Sequence, residues 1–382
     1  MSLPAPTADA LAHSQRVAAH LRALIQHAGG WIPFAQFMEA ALYAPGLGYY
    51  AAGATKFGTA GDFVTAPEMS PLFGRTLAHA IAPALAATGG EVLELGAGSG
   101  RLAVDMLGEL ERLAALPSRY AILDLSPELR ARQQATLARE LPHLADRVHW
   151  LEELPARFSG VVVGNEVLDA LPCELVHWTT EGSRERGVIL DDEGFGWADR
   201  PIADPVLRAR ADALGLAPGY LSEINLAADA LIASLAHAMA RGLILMIDYG
   251  FGQAEYYHPQ RHMGTLRTHY RHHALDDPFY LPGLCDLTAH VNFSAVARAG
   301  TNAGLTLAGY TGQASFLLNS GLAELLMRTS PADAAAYLPQ ANAVQRLVSP
   351  AEMGELFKVI SFAKGGIPPL AGFARGDRQH TL

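Results

Sequence analysis

The sequence predicts an α/β protein built on a largely parallel sheet with helices on both faces. Short apolar runs of strand length alternate with helical periodicity between residues 91 and 165. The first run opens directly onto a glycine-rich turn that leads into a helix, and the second ends in an acid, Asp124. The fourth run carries Val161-Val162-Val163 between glycines, as a buried parallel strand requires.

Residues 1–10 are small and proline-containing and read as a frayed end. From Leu11 to Gln26 apolar residues recur at helical spacing, and Gly29-Gly30 stops the pattern. Phe34, Phe37, Met38, Ala41 and Leu42 repeat it in a shorter helix. The stretch from Tyr43 to Phe63 reads as loop, and Ser70 to about Ala87 as a third helix. The strand Glu91–Leu95 then opens onto Gly96-Ala97-Gly98-Ser99-Gly100, with a helix from Arg101 to about Ala115. Tyr120–Asp124 is the second strand, and Ser126-Pro127-Glu128 opens another helix in capping style. Val148–Leu151 and Gly160–Gly164 follow as strands. Leu175–Trp178, Gly187–Leu190 and Phe195–Trp197, separated by polar turns, predict an antiparallel meander. Helix is expected from Pro205 to Ala240, a fifth core strand over Leu243–Ile247, and irregular chain from Gly252 to Asn292. A helix over Phe293–Ala303, strands over 306–316 and 356–363, and helical sequence from Leu317 to Leu347 complete the chain. Residues 1–74 are expected as an N-terminal helical cap and lid loop. Residues 75–382 are expected as the core, with insertions at about 173–240 and 317–347.

A chain of 382 residues that is 50% hydrophobic and 17% charged can bury a large core. Its formal net charge of -10 argues against a nonspecific nucleic-acid binder and against a polybasic membrane anchor, and suits a cationic partner. Cys173 and Cys285, with no CxxC, make a disulfide framework or a thiolate metal site an unsuitable reading. No apolar run reaches the roughly 18 residues that a spanning helix needs, so no membrane insertion is expected. A cytoplasmic, bacterial-type address is expected. Arg16 and Arg22 in an amphipathic stretch leave a mitochondrial matrix address open for a eukaryotic chain. Six histidines (His258, His262, His269, His272, His273 and His290) invite a metal reading. No HExxH or Cys/His spacing accompanies them, so no metal is expected; with Arg261, Arg267 and Arg271 they read as a basic surface loop.

Strand, glycine turn, helix, strand, acid is a unit that binds adenosine-containing ligands: the glycines let backbone approach the ligand, and the acid accepts from ribose hydroxyls. The turn here is GxGxG, and Arg101 stands where a dinucleotide fingerprint wants a small residue. Glu94, two residues before the first glycine, would be awkward beside a pyrophosphate. It suits a ligand that carries a sulfonium and an ammonium. No Gly-Lys-Ser/Thr follows, which excludes a P-loop. The local chemistry therefore favours S-adenosylmethionine over a dinucleotide. Glu94, Gly96, Ala97, Gly98, Gly100, Asp124, Leu125, Glu152 and Asn165 are its candidate contacts, with Glu152 facing the adenine amino group. By the switch-point rule the loop after the fourth strand faces the transferred methyl. Glu166 and Asp169, three apart, would share a side if that loop continued as a helix, and two carboxylates suit a guanidinium; Asp169 equally suits a helix cap. Asp248 ends the fifth strand, and Asp62 rides in a loop flanked by Gly58 and Gly61 that could close as a lid. Glu166, Asp169, Asp248 and Asp62 are the catalytic candidates.

Phe37-Met38-Glu39-Ala40-Ala41-Leu42-Tyr43 with Gly48-Tyr49-Tyr50 resembles the opening of the MidA family of S-adenosylmethionine-dependent methyltransferases. Gly61–Glu68, Glu94–Gly98, Asn165-Glu166 with Asp169–Pro172, Ile247–Gly250, Pro282-Gly283 with Asp286–Thr288, and Met353–Val359 extend the resemblance over about residues 20–365. The resemblance implies a class I, Rossmann-like, seven-stranded methyltransferase core with an N-terminal helical cap and β-meander and helical insertions. For the mitochondrial branch it implies methylation of a protein arginine on a respiratory complex I subunit. Relatives often have Pro and Arg inside the glycine turn, where this chain has Ala and Ser. The double-Glu loop of the main arginine methyltransferase family is missing, so the guanidinium carboxylates are not assigned by that analogy. A small-molecule methyltransferase, and an assembly chaperone that holds the cofactor without turnover, stay open as alternatives.

Overall fold

The computed structural model describes residues 3–51 and 65–382. The chain forms two compact units, one drawn from Met1–Phe63, Leu168–Ala230 and Ala254–His290, the other from Val64–Val167, Leu231–Gln253 and Val291–Leu382. The N-terminal segment and most of the 173–240 stretch thus belong to one unit.

The second unit holds the sheet that positions the site. Its strands are β1 Glu91–Leu95, β2 Tyr120–Leu123, β3 Val148–Leu151, β4 Phe158–Asn165, β5 Met239–Phe251, β6 Thr306–Gly312 and β7 Phe357–Lys364. They lie in the order β6-β7-β5-β4-β1-β2-β3, and a short strand, Val291–Asn292, adds to the end of β5 to make eight among the described residues. Pairings from β3 through β5 are parallel, and β7 runs antiparallel to both neighbours. The chain winds outward from β1 through β2 and β3, then returns to build β4 and β5 on the other side. The order therefore reverses between β1 and β4, where open α/β sheets carry their ligand crevice.

The sequence explains the burial. Val161, Val162 and Val163 of β4 are at most 1% exposed, because both sheet faces are covered. Helix Arg101–Arg112 buries Leu102, Ala103, Met106, Leu107 and Leu110, each stabilising by about 1.5–3 kcal/mol for a large side chain. Helix Pro71–Thr88 lies close against it at Gly74, where an added Cβ would stand 2.7 Å from the Asp105 Cβ. Helix Pro127–Glu140 starts as its sequence predicts: Ser126 accepts from the Leu129 amide at 3.3 Å with Pro127 at the first position.

In the first unit, helices Ala8–His27 and Phe34–Tyr43 pack against an antiparallel meander of Glu174–Thr179, Gly182–Asp191 and Gly194–Pro201. Two expectations are corrected here. Residues 205–240 are not continuous helix, because strand Tyr220–Ile224 separates helix Pro205–Leu214 from helix Leu226–Ala238 and pairs with Glu174–Thr179. Gly215 ends the first of those helices in a left-handed conformation, φ 54°, and Pro218-Gly219 prevents its resumption. Residues 252–292 are not irregular either: Arg267–Tyr270, His273–Leu275 and Asp286–Thr288 form a small antiparallel sheet. In the second unit the strand expected over 306–316 stops at Gly312, and helix Gln313–Asn319 follows.

Candidate active site

The glycine turn after β1 is a left-handed run. Gly96, Gly98 and Gly100 have φ of 60°, 54° and 83°, a region that side-chain-bearing residues adopt at a cost of about 1 kcal/mol or more. The Gly96 amide donates to the Leu123 carbonyl at 3.0 Å, which fixes the turn to the end of β2. At Gly100 a Cβ would also approach the Gln133 Cα to 3.1 Å. Gly100, the N-cap of helix Arg101–Arg112, has no side chain to offer, and the Arg101 amide at the positive helix end donates to Ser99 Oγ at 3.3 Å. Ala97 is buried within the turn.

Two acids flank this turn. Glu94 is 2% exposed, and its carboxyl accepts from the Tyr120 hydroxyl at 2.6 Å. Burial pushes its pKa up to about 7; the Tyr120 bond opposes that, and the charge of Asp124 adds to it. Asp124 accepts from the Ser126 amide at 2.9 Å and from Gln133 Nε2 at 2.7 Å. Leu125, beside it, is 69% exposed, an apolar side chain left open next to a buried acid. Glu152 is turned outward: its side chain is 86% exposed and pairs with Arg130 at 3.2 Å.

The end of β4 carries the other polar group. Asn165 Nδ2 donates to Glu166 Oε1 at 3.0 Å, while Asn165 Oδ1 is buried with no hydrogen-bond partner among the described residues. Glu166 has φ 53°, and its amide still donates to the Ile247 carbonyl of β5 at 2.9 Å. Asp248 is fully buried and accepts from the Val167 amide at 3.1 Å and the Tyr249 amide at 2.9 Å. It thereby clamps the exit of β4 to the end of β5.

The expected helical continuation from Glu166 to Asp169 is not found. The left-handed Glu166 and its bond to β5 turn the chain away, and bends and a turn follow. Asp169 belongs to the first unit, where it is 5% exposed and its carbonyl accepts from the Ala289 amide at 3.0 Å. It lies near Tyr50, whose hydroxyl donates to both oxygens of Asp286 at 3.0 Å; burial first, then Asp286 and neighbours including Asp169, raise the Tyr50 pKa. Asp62, Gly58 and Gly61 lie outside the described residues. Among the described residues no group of three or more His, Cys, Asp or Glu side chains is arranged to hold a metal ion, and no helix is long and apolar enough to cross a membrane.

Sequence reasoning missed Gln133, which is fully buried. Its amide nitrogen donates to Asp124 and, at 3.2 Å, to the Gly98 carbonyl, and its oxygen accepts from Trp150 Nε1 at 2.8 Å. One side chain thus joins the glycine turn, the acid after β2 and strand β3. The signal was present: Gln133 sits on the stripe of Leu129 and Leu137, a polar residue where helical periodicity demands an apolar one. Tyr120, Arg130 and Glu68 were missed as well. Arg130 donates to the Asp124 carbonyl at 2.6 Å, and the Ser99 hydroxyl donates to Glu68.

A seven-strand path with one antiparallel member, a glycine turn after β1 and an acid after β2 define a class I methyltransferase fold. A family model described as S-adenosyl-L-methionine-dependent methyltransferase matches residues 76–311, more than half of the chain, and the chain belongs to that family. The methyl donor is accordingly S-adenosylmethionine. The chain is 55% identical to a Burkholderia thailandensis protein whose crystal structure holds S-adenosyl-homocysteine, with a TM-score of 0.97 and complete coverage of both chains. It is also similar to protein arginine methyltransferase NDUFAF7, mitochondrial: 28% identical to the Danio rerio protein over 92% of this chain and 91% of that one, and 28% identical to the Homo sapiens protein over 86% and 79%.

The residues present fit this donor. A turn of three left-handed glycines admits close approach of a ligand, the orphaned Asn165 Oδ1 awaits a donor such as an ammonium, and the buried Glu94 suits positive charge.

Proposed function

We propose that this enzyme transfers a methyl group to a guanidinium nitrogen of a protein arginine. The observation that carries the reading is the near end-to-end match to relatives named protein arginine methyltransferases. The strained position of Glu166 supports it: a non-glycine residue in left-handed backbone costs about 1–3 kcal/mol, and such residues cluster at functional sites.

When bound, S-adenosylmethionine supplies an electrophilic methyl. Gly96, Ala97, Gly98 and Gly100 would shape its bed, Asp124 would accept from the ribose hydroxyls, Leu125 would lie against the purine and Asn165 would meet its positive end; Glu94, buried against Tyr120, would contribute its charge, and Glu152 would have to leave Arg130 to reach the purine rim. An arginine side chain is protonated at neutral pH, so a carboxylate must orient it and take up a proton as transfer proceeds. Glu166 performs both tasks at its carboxyl oxygens. Asp248, with amide donors on both oxygens, positions the loop that carries Glu166. Asp62 remains a further carboxylate candidate for the guanidinium; Asp169, held near Tyr50 in the first unit, is not assigned to it. The net charge of -10 suits a cationic protein acceptor, and the resemblance points to a respiratory complex I subunit or its bacterial equivalent. The bacterial origin of the 55% identical protein supports a cytoplasmic address.

The test is transfer of radiolabelled methyl to proteins of a lysate from cells lacking the enzyme, followed by mass spectrometry of the labelled residue. Wild type labels arginine and Glu166→Gln falls by at least about a hundredfold. Label recovered on small molecules alone, or on another residue type, overturns the acceptor. Equal labelling by Glu166→Gln removes that residue from the chemistry.

A further inference from the structure

We propose that Glu68 holds the ammonium at the amino-acid end of the cofactor. The inference rests on membership of the cofactor-dependent family and not on the arginine acceptor. Glu68 lies on the short helix Ala66–Met69, and its carboxylate accepts from the hydroxyl of Ser99, in the middle of the glycine turn. Ser99 thus ties a carboxylate to the glycine turn.

A purely architectural reading is that Glu68 complements the positive end of helix Arg101–Arg112. Ser99 Oγ already accepts from the Arg101 amide at 3.3 Å, so the helix start has a side-chain partner without any carboxylate. A second acid at this turn has a use when the ligand is cationic. Glu94, the acid that the sequence motif suggests, is 2% exposed and bonded to Tyr120 beneath the turn. Glu68 is only half-buried, and thus the more accessible of the two carboxylates. S-adenosylmethionine carries a sulfonium and an amino-acid end with an ammonium and a carboxylate, its demethylated product keeps that end without the sulfonium, and 5′-methylthioadenosine has neither. A carboxylate facing the positive end distinguishes these three; one that merely shapes the turn does not.

The experiment is calorimetric binding of S-adenosylmethionine, S-adenosylhomocysteine and 5′-methylthioadenosine to wild type, Glu68→Gln and Ser99→Ala. Glu68→Gln keeps an acceptor for Ser99 and removes only the charge. It is expected to weaken S-adenosylmethionine by about tenfold, the scale of one charge-assisted hydrogen bond, and to leave methylthioadenosine within about twofold. A parallel loss is expected for S-adenosylhomocysteine, which keeps the ammonium; an unchanged affinity for it places Glu68 at the sulfonium and overturns the assignment to the ammonium. Ser99→Ala keeps the charge and is expected to lose less than Glu68→Gln. Unchanged S-adenosylmethionine affinity in Glu68→Gln, an equal loss for methylthioadenosine, or a loss in Ser99→Ala as large as that in Glu68→Gln overturns the proposal.

Discussion

Glu94 should make the stability of the cofactor-free enzyme fall as pH rises through neutrality. Its carboxyl is buried, and its pKa stands at about 7 against 4.5 for the unconstrained group. Below 4.5 the proton is bound in both folded and unfolded chains, so the group contributes no difference. Between 4.5 and 7 the unfolded chain releases its proton while the folded chain retains it, and stability drops with each step in pH. Above 7 both forms are ionised and the folded state carries the full penalty, ~3 kcal/mol for a shift of this size. Glu94→Gln cannot titrate, yet still offers Tyr120 an acceptor. Urea unfolding from pH 4.5 to 8.5 is expected to show the variant gaining on wild type by up to ~3 kcal/mol across this window. Glu174, also raised to about 7 by burial against the pull of backbone hydrogen bonds, titrates in the same window in both proteins, so the difference between them isolates Glu94. Parallel stability curves would refute the assignment. A positively charged ligand should in turn draw the proton off: binding of S-adenosylmethionine near pH 6 is expected to release close to one proton in wild type and none in Glu94→Gln, read from binding heats in buffers of different ionisation enthalpy.

Replacing Gln133 with Leu strips a donor from Asp124 and Gly98 and an acceptor from Trp150. The expected loss is about 2–4 kcal/mol in unfolding free energy, because each buried group is left short of a partner, and cofactor affinity should fall with it. Gly100→Ala forces a side chain into φ 83° and to 3.1 Å from the Gln133 Cα, with an expected cost of about 1–2 kcal/mol and weaker cofactor binding by calorimetry. Glu166→Gly separates strain from chemistry: relief of the left-handed strain and the added freedom of glycine in the unfolded chain nearly offset, so stability should stay within about 1 kcal/mol. Methyl transfer by the same variant should drop at least about a hundredfold; retained transfer would remove the Glu166 carboxylate from the chemistry.

The central sheet was legible because its information is local. β1, β2 and β3 announce themselves as short apolar runs, and the turn from Gly96 to Gly100 announces itself because few other residues reach those dihedrals. What was not legible depends on partners distant in sequence. Tyr220–Ile224 lies in helical surroundings, and its pairing with Glu174–Thr179 overrides propensity. Arg267–Tyr270 lacks a long apolar run, and pairing on both edges makes it a strand. In the site, residue type pointed to the acids but not to their wiring. Glu152 looked equivalent to Asp124 as an acid after a strand, yet it pairs with Arg130 at the surface while Asp124 is buried against Gln133. The helical spacing of Glu166 and Asp169 held only on condition of a helix, and a single left-handed dihedral removed it.

The two carboxylates at the carboxyl ends of β4 and β5 illustrate why residue type alone cannot assign a mechanism. Glu166 and Asp248 are equally acidic in sequence and lie one residue beyond the paired positions Asn165 and Ile247. Asp248 is fully buried and has an amide donor on each oxygen, so its hydrogen-bonding capacity is committed to holding backbone. Glu166 is half-buried, with Asn165 as a side-chain donor to one oxygen, in a left-handed backbone conformation that costs energy. On the reading proposed above, one acid holds backbone and the other is left to meet the acceptor. The same contrast holds at the other strand end, where Glu94 lies sealed under the glycine turn and Glu68 reaches its surface through Ser99.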